Sequence, residues 1–212
     1  MFEINSLGRD PEHKKKFWNG VASYLYFLPT HFYHIYKDNE DAYASRDCEA
    51  LVPTLAKRVY ANRFTAGSKT FFHLYNATGK NYSGPVLKIR KPADHHVFDM
   101  LNCKELAAEG STPTVELTLK NDDVACIAIL PALLEAKRDG DLLRVSAKVK
   151  FDAQKLSVCG PDGGPLLFHD LKDGENQIAL SPGPKAGVPE PVVVKLLNSN
   201  NLLLDIVGIE NK

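Results

Sequence analysis

From about residue 58 the apolar residues stop recurring at helical spacing and fall instead into short alternating segments separated by Gly, Asn, Asp and Pro. A period of two suits a strand that buries one face, and punctuation of this kind marks hairpins and loops. The segments Arg58 to Phe64, Lys69 to Asn76, Gly84 to Arg90, His95 to Met100, Thr114 to Lys120 and Val124 to Leu130 predict a first set of strands. After a break at Glu135 to Asp141 come Leu142 to Phe151, Lys155 to Cys159, Leu166 to His169, Gln177 to Leu180, Val192 to Leu197 and Leu202 to Ile209. Turns at Pro161 to Gly164 and Asn198 to Asn201 supply residues that tolerate positive φ, and the proline-rich stretch Ser181 to Pro191 reads as an irregular loop. The expected fold is mainly β: a helical N-terminal lead-in (1–57) followed by two antiparallel β-sandwich, Ig-like domains (58–132 and 133–212).

The lead-in differs in texture. Asp10 offers an N-cap and Pro11 a first helical position, after which Trp18, Val21, Tyr24, Leu25 and Leu28 recur at helical spacing. Pro29 should end or kink that helix before a second segment through Phe32, Ile35 and Tyr36. At about 100° per residue, Trp18, Tyr24, Tyr26, Phe27, Phe32, Tyr33 and Tyr36 spread around most of a helix, so one docked surface does not cover them all. The lead-in is therefore expected to homodimerise or to be protease-sensitive before residue 45.

Composition narrows the partners. Lys plus Arg equals Asp plus Glu at 26 each, which removes the electrostatic footprint of a nucleic-acid binder; Lys14, Lys15 and Lys16 read as a solvated helix face. Apolar residues at 44% and charged residues at 25% are ordinary for a globular chain of 212 residues. No run is long enough to cross a bilayer, and the amino terminus lacks the pattern of a signal peptide, so a soluble chain is expected. Cys48, Cys103, Cys126 and Cys159 lack zinc-knuckle or CxxC spacing, and Cys126 sits in an apolar run that reads as core.

Candidate chemistry is sparse. His31 and His34 share a helix face without a third ligand, so packing is favoured over metal binding. Neighbours on a strand point to opposite faces, which separates His95 from His96 and puts His95 on the same side as Asp99, within reach of a surface hydrogen bond. Asp122 and Asp123 adjoin in a turn, whereas glycoside chemistry needs carboxylates facing each other across a sugar. There is no GxSxG elbow, and the glycines from Gly160 to Gly164 lack a P-loop lysine. Asn76 and Asn81 head glycosylation sequons. No catalytic residue, metal site or cofactor is expected. Tyr60, Tyr75 and Tyr82 are the tyrosines that could stack on a sugar, although strand aromatics are more often core.

Several phrases follow one another in a specific order: Cys48-Glu-Ala-Leu-Val-Pro-Thr54, Val59-Tyr-Ala-Asn-Arg-Phe64, Phe72-His-Leu-Tyr-Asn76, Gly84-Pro-Val-Leu87, Val97-Phe-Asp-Met-Leu101 and Val124-Ala-Cys-Ile-Ala-Ile129. Over roughly residues 17–131 this series resembles the β-sandwich region that closes the catalytic barrel in bacterial glycoside-hydrolase-like proteins, many with an uncharacterised catalytic domain. The resemblance implies a non-catalytic accessory region bracing a barrel that this sequence lacks, in a parent that is secreted or periplasmic. The barrel strands that carry catalytic carboxylates are not among these residues, so no family catalytic residue maps onto any position. The competing expectations are a carbohydrate-binding module and a protein-interaction or cell-surface sandwich.

Overall fold

A computed structural model describes residues 30–148, 153–172, 174–180 and 192–211. Strands take up 55% of the described residues against 7% helix, so the mainly β expectation holds. Trp18, Tyr24, Tyr26, Phe27, the three lysines at 14–16 and the loop at 181–191 lie outside the described residues.

The described part of the lead-in holds two short helices, α1 (Thr30–Asp38) and α2 (Glu40–Tyr43). They part at the fully buried Asn39, whose side-chain Nδ2 donates to the Ile35 carbonyl at 2.9 Å. A side-chain amide that satisfies a helix-end carbonyl lets the chain turn inside the protein without orphaning a backbone group.

Eight strands follow: β1 (Cys48–Glu49), β2 (Val59–Ala66), β3 (Lys69–Asn76), β4 (Tyr82–Lys88), β5 (His95–Asp99), β6 (Lys104–Leu106), β7 (Thr114–Leu119) and β8 (Val124–Pro131). Six form one sheet in the order β1-β2-β3-β8-β5-β6, and β4 pairs with β7 across from it. Ala61, Leu74, Val97 and Ile127 pack against Val86, Leu87, Val115 and Leu117 between the two sheets. The opposite face of the six-stranded sheet carries Phe64, Phe71, Phe98, Cys126, Ala128 and Leu130, which pack on Ile35, Tyr36 and Ala42 of the helices. Both faces are thus covered, which is why every residue of β8 is buried and its sequence is a continuous apolar run.

The second half contributes β9 (Leu134–Asp139), β10 (Leu142–Ala147), β11 (Ala153–Cys159), β12 (Pro165–Asp170), β13 (Glu175–Ala179), β14 (Val193–Asn198), β15 (Leu203–Gly208) and β16 (Glu210–Asn211). They make two four-stranded sheets, β13-β10-β9-β16 and β12-β11-β14-β15. Leu134, Ala136, Leu143, Val145 and Ile178 of the first pack with Leu156, Val158, Val194 and Leu196 of the second. All pairings in the four sheets are antiparallel except the short one between β16 and β9.

Three sequence expectations need correcting. The break at Glu135 to Asp141 is a strand, β9, hairpinned to β10. Glu135, Lys137 and Asp139 point to solvent while Leu134 and Ala136 point inward, and Arg138 is half-buried. A charged residue at every second position is the normal pattern of a half-buried strand, and Gly140 at φ 60° makes the turn. The stretch assigned to the lead-in also contains β1, which pairs with β2. The short strand β6, unforeseen in sequence, extends the sheet beyond β5.

The helices occupy the space between the two halves. Buried Phe32, Ile35 and Tyr36 share one apolar cluster with Phe71 and Phe98 of the first half and Val193, Leu203 and Ile206 of the second. Polar pins fix α2 to β3: the Tyr43 hydroxyl lies 2.8 Å from His73 Nε2, and buried Lys69 donates to Asp41 at 2.9 Å.

Candidate functional site

The residues singled out in sequence disperse. His31 and His34 both lie on α1, but the His31 side chain falls outside the described part. His95 lies against the Asp94 carboxylate at 2.7 Å and the Ser68 carbonyl at 3.1 Å, not against Asp99. Asp99 instead accepts hydrogen bonds from the backbone of Leu101 and Asn102 and from the Asn102 side chain, because the chain turns sharply after β5. The expected His95–Asp99 contact is therefore replaced by two local ones. Asp122, at φ 54°, accepts from the Tyr75 hydroxyl and the Asn121 amide, and Asp123 donates its backbone N–H to Lys120, so the pair is turn chemistry.

The tyrosines separate as well. Tyr60 and Tyr75 face each other across β2 and β3, with Tyr60 42% exposed and Tyr75 half-buried. Tyr82 lies in the other sheet, packs on the first sandwich core and donates to the Pro85 carbonyl at 2.7 Å. Asn76, head of the first sequon, is fully buried, and its amide donates to the carbonyls of Lys80, Leu119 and Lys120. Its oxygen accepts from Thr78, so the folded chain offers no acceptor there; Asn81 is exposed. The four cysteines are free thiols, and burial pushes Cys103 up to about 11 and raises Cys126 and Cys159 as well, leaving them protonated and unreactive at neutral pH. Among the described residues no three His, Cys, Asp or Glu side chains gather to hold a metal.

Two charged contacts that sequence reasoning missed sit where the halves meet. Asp205 on β15 is fully buried. Its Oδ2 accepts the backbone N–H groups of Leu133 and Leu134 at 2.7 and 2.8 Å, on the segment that passes from β8 to β9. Its Oδ1 meets His96 Nε2 on β5 at 2.7 Å. Glu105 on β6 lies 3.6 Å from the other ring nitrogen. Burial disfavours the charged imidazole, but Asp205 and then Glu105 outweigh it, and the His96 pKa is raised above its ordinary value.

A pH dependence follows. A group whose pKa is higher in the folded state stabilises the fold fully below its unfolded value and loses that contribution as pH rises through the folded one. Relative to His96→Gln, the intact protein is expected to keep its full extra stability below about pH 6.5 and to lose it progressively above. Urea melts of both proteins between about pH 5.5 and 8.5 measure this; a gap independent of pH would reject the imidazolium pairing.

The second contact joins α1 to β14. Lys195 Nζ is buried, 2.6 Å from Asp38 Oδ2 and 2.7 Å from the Gly163 carbonyl. Although burial opposes its charge, Asp38 holds the lysine pKa above the ordinary value. The turn carrying Gly163 comes close to α1 because Gly164 has no side chain: a Cβ there would stand 2.9 Å from His34 Nε2.

Beside this pair a groove of about 450 Å³ opens between α1 and the outer face of the β12-β11-β14 sheet. Register places Phe168, Ser157 and Lys195 in one row across its floor, with Phe168 on the edge strand β12 and 58% exposed. Lys155 stands over the Phe168 ring, 5.2 Å from its centroid. Tyr33 and Lys37 form the opposite wall, the amine 3.3 Å from the phenol oxygen.

No family model matches the chain, and no curated protein matches it. Among solved structures it is similar to a gamma-CGTase from alkalophilic Bacillus clarkii, with a TM-score of 0.35 and 13% identity over 85% of this chain and 28% of that one. It is also similar to a Bacillus halodurans C-125 chain assigned as an alpha-N-acetylgalactosaminidase, with a TM-score of 0.33 and 11% identity over 48% of this chain and 22% of that one. This chain spans less than a third of either chain's length, and likenesses this slight carry no argument about activity.

Proposed function

We propose that this chain is a non-catalytic accessory region of a carbohydrate-active enzyme, a β-rich block that braces a catalytic barrel in the parent protein. Its two pairs of facing sheets act as Ig-like sandwich domains over 58–132 and 133–212, with 1–57 as the connection to the barrel. The observation that carries this reading is the junction. One apolar cluster runs from Phe71 and Phe98 through Ile35 and Tyr36 to Leu203 and Ile206, and the Asp205 and Lys195 contacts lock it. A brace needs halves that do not move independently, and a buried, apolar, ion-paired junction provides that stiffness. The phrase order from Cys48 to Ile129 supports the assignment to such a parent.

Two measurements test it together. Calorimetry of the chain should give one cooperative unfolding transition, since opening the junction exposes the apolar cluster that the helices share with both halves. The same protein should show no hydrolysis of aryl glycosides. Two well-separated transitions would remove the bracing role. Turnover abolished by Asp122→Asn with Asp123→Asn would make the chain an enzyme.

A further inference from the structure

We infer that the groove between α1 and the β12-β11-β14 sheet is a binding site for an acidic sugar, a pyranose bearing a carboxylate. Its volume of about 450 Å³ lies in the range of small-ligand sites. The strongest sign is Phe168, which occupies an edge strand with 58% of its surface exposed and its ring turned to the groove rather than to the core. An aromatic plane at the lip of a polar groove is the surface on which the C–H face of a pyranose stacks.

The polar groups define the rest of the ligand. The side-chain amides of Asn200 and Asn201, on the exposed turn after β14, have no hydrogen-bond partner among the described residues and line the groove. An amide presents a donor and an acceptor side by side, which matches vicinal hydroxyls. Charge then discriminates. Lys37 and Lys155 make no close ion pair among the described residues: the first meets the Tyr33 phenol, with Glu40 and Asp38 further off, and the second stands over the Phe168 ring. Buried Lys195 is matched by Asp38, which leaves Glu40 as the other carboxylate of the lining. Lys155 stands over one face of the Phe168 ring, so a pyranose stacking on that face displaces the amine to the ring's edge, where it meets the carboxylate of a uronate. Three lysines against Asp38 and Glu40 leave the lining one positive charge in excess, which a uronate carboxylate balances and a neutral sugar does not.

This site is independent of the bracing role, because Phe168, Lys155 and Lys37 take no part in the junction. The test is titration calorimetry on the full chain at low salt, with trigalacturonate, maltotriose and citrate as probes. Trigalacturonate should bind with a Kd on the order of 1 mM or tighter, maltotriose at least about tenfold more weakly, and added salt should weaken the first. Phe168→Ala should reduce trigalacturonate binding at least about tenfold, and Phe168→Trp should restore it, with unfolding temperatures unchanged because the ring is exposed. Lys37→Met with Lys155→Met should erase the preference over maltotriose. Equal binding of the two sugars, no binding, full displacement of trigalacturonate by equimolar citrate, or binding that survives Phe168→Ala would each overturn the inference. A chain that melts in one transition yet binds neither sugar loses this site and keeps its bracing function.

Discussion

Asp205→Ala is expected to lower stability by about 3–5 kcal/mol, the cost of removing one partner from a buried charged pair. For a chain of this size that shifts the melting temperature down on the order of 10 °C. The size of the effect comes from how much one carboxylate holds. Its two oxygens meet His96 Nε2 and the backbone N–H groups of Leu133, Leu134 and Ile206, all at 2.7–2.8 Å. Alanine would leave these donors facing an interior from which water is excluded, and an unsatisfied buried donor costs more than a surface contact gains. Asp205→Asn provides a finer measurement. An amide keeps one acceptor but turns an N–H group toward a donor, which is worst when His96 is protonated. Its deficit against the intact protein should therefore shrink as pH rises through the raised His96 pKa. A melting-temperature loss below about 2 °C for the alanine variant would show that the junction is held by apolar packing alone.

Most strands were legible because alternation and turn residues are local signals. Lys69–Asn76 lies between two glycine-bearing turns, and its predicted limits coincide with β3. The misreading at Glu135 to Asp141 shows where local reasoning fails. Its charge density masks Leu134 and Ala136, the two small signs that the segment has an inner face. The run at Val124 to Leu130 declared a buried strand, but not that helices would cover its second face. That depends on α1, which precedes the strands, docking on the finished sheet, a long-range event with no local mark.

The sites were less legible still. Asp205 did leave a trace: a carboxylate inside Leu202 to Ile209, an otherwise apolar strand, must find a buried partner. Nothing local names that partner, since His96 stands 109 residues earlier. Strand geometry separates His96 from His95 but says nothing of what His96 meets. Phe168 was invisible as a ligand contact because an aromatic in a strand reads as core. Alternation with Leu167, which packs inward, puts the ring on the outer face, and the edge position of β12 leaves it exposed to the groove.

Asp38→Ala is expected to have the second large effect, again about 3–5 kcal/mol, through a residue that it leaves behind. The Lys195 ammonium is buried, with Asp38 at 2.6 Å and the Gly163 carbonyl at 2.7 Å as its oxygen partners. Without Asp38 the amine is charged against one backbone dipole, so it must either lose its proton or draw water into the junction. Burial would then act unopposed, and the lysine pKa, now above its ordinary value, would fall. The destabilisation should therefore ease at high pH, where a neutral amine fits the apolar surroundings. Lys195→Met in the same chain supplies the control. A buried ion pair replaced by apolar groups of similar volume is often neutral, so Asp38→Leu with Lys195→Met should recover most of the stability that Asp38→Ala loses. A double-mutant cycle read by urea melts separates the possibilities. Strong coupling assigns the energy to the pair, whereas a double variant as unstable as the sum of the singles would place it in the packing of α1 against β14.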